Sequence, residues 1–194
     1  MPPRQKFTRE EIVEAALAIA RKEGMEAITA RRLGAELGSS ARPIFTVFTN
    51  MEEVMEATRQ GARDFYNTYV QKGLQEEKSF KGVGQGYIRF AREEPKLFQL
   101  LFMKAQSREP AGIETVLSIL DESNEEILAA VEKEYQLNEE SAKELYLLVW
   151  IFTHGVAVLF ATGVCSFTEA ETEQMLTKAC IGILMKLKKD ERDT

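Results

Sequence analysis

The sequence has few of the residues from which reactive centres are built. Its 194 residues include one histidine and two cysteines, and Cys165 and Cys180 have neither CxxC spacing nor a histidine partner. No nucleophile–base pair, metal-binding cluster or phosphate loop is visible. The GVGQG at 82–86 lacks the preceding strand and the following lysine of such a loop, and it is interpreted as close helix packing. We therefore predict no enzyme activity, no metal, no cofactor, and reduced cysteines that act as small apolar residues.

The chain is also poor in helix breakers and in strand patterns. It has five prolines, twelve glycines and no low-complexity tract. Nearly every stretch repeats its apolar residues at helical spacing and none alternates at period two, so the predicted fold class is all-α. The first residues, MPPRQKFTREE, contain no apolar segment of a secretory signal, and a cytoplasmic location is expected.

The negative charge is unevenly distributed. The net charge is −6, yet residues 1–50 hold eight basic side chains against six acidic ones, so that region carries +2 and the remainder −8. A weakly cationic N-terminal region on an acidic body can still approach phosphate, because local charge decides counterion release. Overall acidity therefore does not exclude nucleic acid as a partner.

The stretch TARRLGAELGSSARPIFTVF at 29–48 has the pattern of a helix–turn–helix. Thr29 is a predicted N-cap, Gly38 a residue that needs positive φ, and a second helix is predicted from about Ala41, capped by Ser39 or Ser40. A preceding helix, 8–22, has a Thr8–Glu11 capping box. In such units the N-terminal side chains of the second helix meet base edges in the major groove.

The remaining sequence continues in helices. We predict a long fourth helix at 51–72, which joins an N-terminal domain, 1–50, to a C-terminal domain, 51–194. Five more are predicted, about 80–93, from Pro95 through 105, 113–134, from the Asn138 cap to 164, and from the Thr168–Glu171 capping box to 189. The prediction is three helices followed by six.

The N-terminal residues resemble the DNA-binding domain of the TetR family of bacterial repressors. The resemblance rests on a set of residues in the order and spacing of that family: Phe7, Thr8, Ile12, Ala15, Ala16, Gly24, Thr29, Arg31, Leu33, Gly38, Ser40, Phe45 and Phe48. Arg42, Phe45, Val47 and Met51 depart from the usual residues, so the family's contact list does not transfer whole. Motif and resemblance together predict these DNA-binding residues: Thr29, Arg31, Ser39, Ser40, Ala41, Arg42, Pro43, Phe45 and Thr46.

Leu145 to Phe167 is a run of twenty-three residues without Asp, Glu, Lys or Arg. It is long enough to span a bilayer, but both flanks are acidic and His154 lies inside it, so a buried helix at a subunit interface is the preferred interpretation. Trp150, His154 and Gly155 form W-x-x-x-H-G. Together with YIRFAREEPKLFQLLF at 87–102, this motif resembles the WHG-type C-terminal domain of some TetR-family regulators.

The C-terminal domain is predicted to bind an effector. It is richer in aromatic residues than the N-terminal domain, and its tyrosines and single histidine supply a few polar groups, which indicates a small apolar or weakly polar ligand. The predicted ligand-binding residues are Tyr66, Tyr69, Tyr87, Phe90, Phe98, Phe102, Trp150 and His154. For His154 the alternative is a core residue with satisfied hydrogen bonds.

The resemblance implies a ligand-responsive repressor that binds a palindromic double-stranded DNA operator as a homodimer, with no membrane involved. The eighth and ninth predicted helices are expected to form the dimer, the ninth through Leu176, Ala179, Cys180, Ile183 and Leu187. Two alternatives stay open. One is a regulator that has lost ligand sensing and acts as an activator or through a protein partner, and the other is a helical interaction protein without DNA binding.

Overall fold

The computed structural model describes residues 6–103 and 124–193. Within them the chain is helical and contains no β-strand, which confirms the all-α prediction. The eight α-helices are α1 Arg9–Glu23, α2 Ala30–Glu36, α3 Met51–Leu74, α4 Ser79–Glu93, α5 Pro95–Phe102, α6 Asn124–Tyr135, α7 Glu139–Thr162 and α8 Glu169–Asp193. Two short 3₁₀ helices, Met25–Ala27 and Ile44–Thr46, lie between the first three.

The chain divides into two compact units. Unit one is Met1–Asn67 with Glu94–Ala105, and unit two is Thr68–Glu93 with Gln106–Thr194. Helix α3 supplies residues to both units, as expected for a helix shared by two domains. The functional boundary near residue 50, with a DNA-binding domain at 1–50 and an effector-binding domain at 51–194, stays a prediction.

The predicted starts of α1, α2 and α7 are confirmed by their capping hydrogen bonds. Thr8 and Glu11 form both hydrogen bonds of a capping box at α1, and the Thr29 hydroxyl accepts from the amide of Arg32 at α2. Asn138 accepts from Ser141 at the start of α7. Pro95 occupies the first turn of α5, where its missing N–H leaves no bond unmade. These local hydrogen bonds explain why the helix starts were predictable.

The predicted second helix of the helix–turn–helix is wrong in type. The segment after Ala41 is a turn followed by the 3₁₀ helix Ile44–Thr46, and no side chain caps it, so neither Ser39 nor Ser40 plays that role. Amides bond three residues back, from Ile44 to Ala41 and from Val47 to Ile44, both at 3.1 Å. The Phe48 amide bonds four residues back, to Ile44 at 2.9 Å, so the segment closes with one α-type turn before α3 begins at Met51.

The first part of the predicted seventh helix, 113–123, lies outside the described residues. The described helix α6 begins at Asn124 and ends at Tyr135, one residue beyond the predicted end. Helices α3, α7 and α8 end within about four residues of their predicted ends.

Unit one is built around the inner face of α1. This helix buries Ile12, Ala16 and Ile19 completely and packs against α2 and α5. Phe48 is also buried. Burial of these apolar side chains stabilises the unit mainly by removing them from water.

A partly buried ion pair joins α1 to the start of α5. Arg21 donates from Nε to Oε2 of Glu94 at 2.7 Å, and its Nη2 donates to the other carboxylate oxygen. The Glu94 side chain is only 8% exposed, whereas that of Arg21 is 48% exposed. The Arg21 guanidinium also lies 5.1 Å from the ring centroid of Phe65 on α3. One arginine therefore connects three helices of unit one.

Unit two is organised around α7, which packs against α4, α6 and α8. Helix α4 approaches the end of α3 so closely that only glycine fits. A Cβ on Gly82 would lie 3.0 Å from the Cα of Gly73, and one on Gly86 would lie 2.8 Å from the carbonyl oxygen of Tyr69. The interpretation of GVGQG as close helix packing therefore holds for its first and last glycines.

Removal of the Arg21 guanidinium should destabilise the protein. In Arg21→Ala the buried Glu94 carboxylate loses both donors, and we expect about 1–3 kcal/mol less free energy of unfolding in urea. Lys22→Ala is the matched control, because Lys22 forms no ion pair with a described residue. If Arg21→Ala and Lys22→Ala lower the free energy of unfolding equally, the ion pair does not contribute to stability.

Candidate nucleic-acid interface and effector pocket

The turn of the helix–turn–helix is held by backbone geometry. Gly38 has φ of +61°, and its amide donates to the carbonyl of Ala35 at 3.0 Å. The Ser39 amide donates to the carbonyl of Gly34 at 2.8 Å. This pair of bonds is a Schellman motif, which ends α2 and directs the chain into the next segment. The prediction of positive φ at Gly38 is confirmed.

Gly34 allows α2 to touch the segment that follows. A Cβ on Gly34 would lie 2.9 Å from the amide nitrogen of Ala41 and 2.9 Å from the carbonyl carbon of Ser40. Gly34 was not among the residues predicted from the sequence. It could have been found as a glycine inside a short helix, because glycine there lowers helix stability by about 1 kcal/mol relative to alanine and so indicates a packing requirement.

The predicted DNA-binding residues lie together within the helix–turn–helix of unit one, and most are exposed. Thr29, Arg31, Ser40, Arg42, Phe45 and Thr46 are exposed, whereas Ser39, Ala41 and Pro43 are half-buried. Phe45 is 46% exposed, unusually high for an aromatic side chain. The Thr46 hydroxyl donates to the carbonyl of Pro43 at 2.6 Å, so this hydroxyl serves the turn itself.

The basic side chains of this region divide into paired and unpaired groups. Arg32 forms ion pairs with Glu23 at 2.8 Å and with Glu36 at 2.6 Å, and the hydrogen bond with Glu23 is the main cause that raises the pKa of Arg32. Arg31 and Arg42 form no ion pair with a described residue. Their positive charge is therefore not neutralised within the described part of the chain.

Lys6 is a further cation that the prediction left out. Its ammonium donates to the hydroxyl of Ser39 at 2.9 Å, which places a positive charge beside the turn. The basic character of the N-terminal residues pointed to such a cation, but the sequence does not show which part of the fold Lys6 contacts.

The predicted ligand-binding residues fall in both compact units. In unit one, Phe102 packs edge-on against Tyr66 with ring centroids 5.0 Å apart and lies 5.1 Å from Phe98. Phe98 is fully buried. In unit two, Tyr69 packs edge-on against the fully buried Phe90, and its hydroxyl donates to Glu93 at 2.8 Å. Phe90 and Phe98 are thus core residues.

The structure brings Tyr87, Trp150 and His154 together in unit two. The Tyr87 hydroxyl and Nδ1 of His154 are joined by a hydrogen bond of 2.8 Å, and the indole stacks on the imidazole with centroids 4.9 Å apart. Burial lowers the pKa of His154, which favours the neutral ring. His154 is half-buried and has a hydrogen-bond partner, and the choice between a ligand contact and a core residue stays a prediction.

Described residues of unit two line a cavity of about 150 Å³ and two larger ones. One, of about 260 Å³, lies between α3 and α4 and has a polar lining that includes Tyr69, Lys72, Arg89 and Glu93. The other, of about 220 Å³, lies between α4, α7 and α8 and is mainly apolar. Neither lining includes Trp150 or His154.

Two further features limit the chemistry. The described residues contain no group of three or more His, Cys, Asp or Glu placed to hold a metal ion, and both cysteines are free and half-buried.

Helix α7 is the one described helix long and apolar enough to cross a membrane, with 44% of its most apolar window buried in the protein. One such helix is weak support for a membrane span.

Fold and motif define an all-α protein with an N-terminal helix–turn–helix. Residues 80–180, more than half of the chain, match the family model described as the tetracyclin repressor-like C-terminal domain. A crystal structure from Mesorhizobium loti MAFF303099, described as a TetR-family transcriptional regulator, is similar with a TM-score of 0.54 at 17% identity and covers 91% of this chain and 95% of its own. Comparison with curated proteins gives no match. The chain belongs to the TetR family of transcriptional regulators.

Gly34→Ala should disturb the helix–turn–helix. The added methyl group meets backbone atoms of Ser40 and Ala41, which cannot rotate away, and we expect a loss of about 1–3 kcal/mol in stability together with weaker DNA binding. Gly38→Asn is the control, since asparagine tolerates positive φ and no atom lies within 4 Å of the new Cβ. Equal melting temperatures and equal DNA affinities for the two variants would contradict this reading of Gly34.

Proposed function

We propose that this TetR-family regulator is a homodimeric repressor that binds a palindromic operator in the cytoplasm and is released by a small apolar or weakly polar molecule. The proposal depends on Arg31 and Arg42 of the helix–turn–helix, which are exposed and form no ion pair with a described residue. Arg9 and Arg32 are engaged by contrast, since Arg9 pairs with Glu53 at 2.7 Å and Arg32 with two glutamates. A guanidinium group without an intramolecular partner can bind a DNA phosphate or donate two hydrogen bonds to the edge of a guanine.

Arg42 is the best candidate for base reading. It precedes Ile44–Thr46 in the segment that takes the place of a recognition helix, and it is exposed. Arg31 lies in the first turn of α2, beside the Thr29 cap, and we assign it to phosphate. The exposed Phe45 ring and the Lys6 ammonium extend the same interface with an apolar contact and a further charge.

Arg42→Ala should weaken operator binding by about 1–3 kcal/mol and relax the preference at one base pair. Arg32→Ala is the matched control, because the glutamates that pair with Arg32 already neutralise it. Both variants are compared with the unmodified protein in gel shifts on upstream DNA and on random DNA over a range of salt concentrations. An equal loss on both DNAs would assign Arg42 to phosphate, and no loss on either would remove it from the interface.

The dimer surface that we propose is the exposed apolar face of α7 and α8. It consists of Leu148, Ile151 and Phe152 on α7 with Ile181 and Met185 on α8, which are 38–69% exposed. Apolar side chains in such a cluster indicate a surface that another protein covers. A second copy is the occupant that a palindrome requires, because two heads on a two-fold axis read two half-sites.

The face differs from the stripe predicted on the last helix. Leu187 of that stripe is buried within the chain, and Leu176, Ala179, Cys180 and Ile183 are half-buried. Gly155 adds support for a close partner helix, because a Cβ there would meet no described atom within 4 Å. The glycine therefore leaves room that this chain does not itself use.

Ile151→Asp should give a monomer with greatly reduced operator affinity, because the partner helix would bury an unpaired carboxylate. Ile151→Met is the control and should remain dimeric, since it keeps an apolar side chain of similar volume. Light scattering reports the mass, and circular dichroism confirms that both variants are folded. A dimeric Ile151→Asp variant with unchanged affinity would move the interface elsewhere.

Release by an effector is the remaining part of the proposal. Helix α3 has residues in both compact units, so it is the element through which a change in unit two can reach the helix–turn–helix. The effector binds the DNA-binding shape and the released shape with different affinities. The ratio of these two affinities sets the largest change in DNA affinity that it can cause. The eight aromatic and histidine residues from Tyr66 to His154 stay the predicted contacts, several of them also core residues.

A further inference from the structure

The three glycines of GVGQG have different surroundings. Gly82 and Gly86 face the backbone of α3, where a Cβ would collide. Gly84 lies about 200° around the helix from each of them, and a Cβ on Gly84 would meet nothing within 4 Å. A glycine inside a helix costs about 1 kcal/mol relative to alanine, and no packing contact explains this one.

Gly84 borders the apolar cavity between α4, α7 and α8. The cavity has a volume of about 220 Å³. Its lining consists of Lys78, Phe80, Lys81, Gly84, Gln85, Tyr135, Val149, Thr153, Glu173, Leu176, Thr177, Cys180 and Ile181. Because position 84 borders this space, a bulky side chain there would fill it. The glycine therefore keeps the cavity open.

The walls of the cavity offer no unpaired charge except at its exposed edge. Lys81 and Glu173 form an ion pair with each other, and Lys78 is exposed. The Cys180 thiol donates to the Tyr135 hydroxyl with Sγ and Oη 3.8 Å apart. Burial raises the pKa of both groups, so both stay protonated at neutral pH.

The polar groups inside are few and mostly satisfied. The Thr153 hydroxyl donates to the carbonyl of Val149 at 2.7 Å, one turn earlier on α7. Phe80 packs edge-on against Tyr135 with ring centroids 6.0 Å apart. An aromatic wall with one phenol and one thiol favours a ligand that is largely apolar and carries at most one weak hydrogen-bonding group.

We propose that this cavity, kept open by Gly84, binds a neutral aromatic molecule the size of a substituted benzene. Cavities of about 150 Å³ can hold benzene, so about 220 Å³ accommodates the ring with small substituents. The identification of this molecule as the effector rests on the proposed function, whereas its binding does not. The site differs from the predicted cluster of Trp150 and His154, which line neither of the two larger cavities.

The two cysteines provide a direct measurement of occupancy without DNA. Cys180 lines the cavity and Cys165 does not. The full chain is alkylated with iodoacetamide at mildly alkaline pH, and the rate at each cysteine is followed by mass spectrometry. Toluene or p-cresol at about ten times its dissociation constant should slow alkylation of Cys180 about tenfold and leave Cys165 unchanged. Benzoate at the same concentration should protect neither thiol.

Gly84→Phe should close the cavity, and Gly84→Ala is its matched control. The phenylalanine variant should show slow alkylation of Cys180 without any probe and no further protection by toluene. The alanine variant should be protected by toluene as the unmodified chain is, and it should be at least as stable, since alanine favours the helix. Circular dichroism checks that both are folded.

Three results would overturn the proposal. The first is unchanged Cys180 alkylation with both neutral probes at millimolar concentration. The second is protection by benzoate as strong as that by toluene, which would contradict the preference for a neutral ligand. The third is alkylation of Cys180 in the monomeric Ile151→Asp variant but not in the unmodified chain. That result would mean that a second copy covers the cavity. Operator affinity is measured separately, so a protein that binds toluene but not DNA would refute only the repressor function.

Discussion

The close approach of α4 to the end of α3 is the constraint on which unit two depends. The backbones meet at Gly73 and Gly82, and again at Gly86 against Tyr69, with no room for a Cβ. This approach sets the position of α4, whose other faces pack against α6 and α7 and border the apolar cavity. Because backbone atoms cannot rotate aside as side chains do, the position of α4 tolerates little change.

In unit one the helices are positioned by apolar packing and an ion pair, not by close contact of backbones. Its helices are joined by apolar packing around α1 and by Arg21, which bonds Glu94 and lies against Phe65. The buried carboxylate costs desolvation unless a donor reaches it, so the ion pair makes one arrangement of α1 and α5 preferable to others. The exposed cations of the helix–turn–helix project from this supported core. Glu23 and Glu36 pair with Arg32, whereas Arg31 and Arg42 form no ion pair with a described residue.

The proposed dimer face and the cavity both involve α7 and α8. Ile181 belongs to the exposed apolar face and also lines the cavity. A ligand in the cavity would therefore contact a residue next to the proposed subunit interface. In the proposed dimer, this proximity would give effector binding a physical route to the spacing of the two proposed DNA-binding heads, in addition to the proposed route along α3.

The sequence by itself determined the fold class, most helix boundaries and their caps, because capping hydrogen bonds and apolar periodicity act over three or four residues. Tertiary structure decided the rest. The segment after the turn forms a 3₁₀ helix where an α-helix was predicted, and the packing of α1 beside α2 brings Glu23 to Arg32. The different surroundings of Gly82 and Gly84 depend on which neighbour each face meets, and no local pattern contains that information.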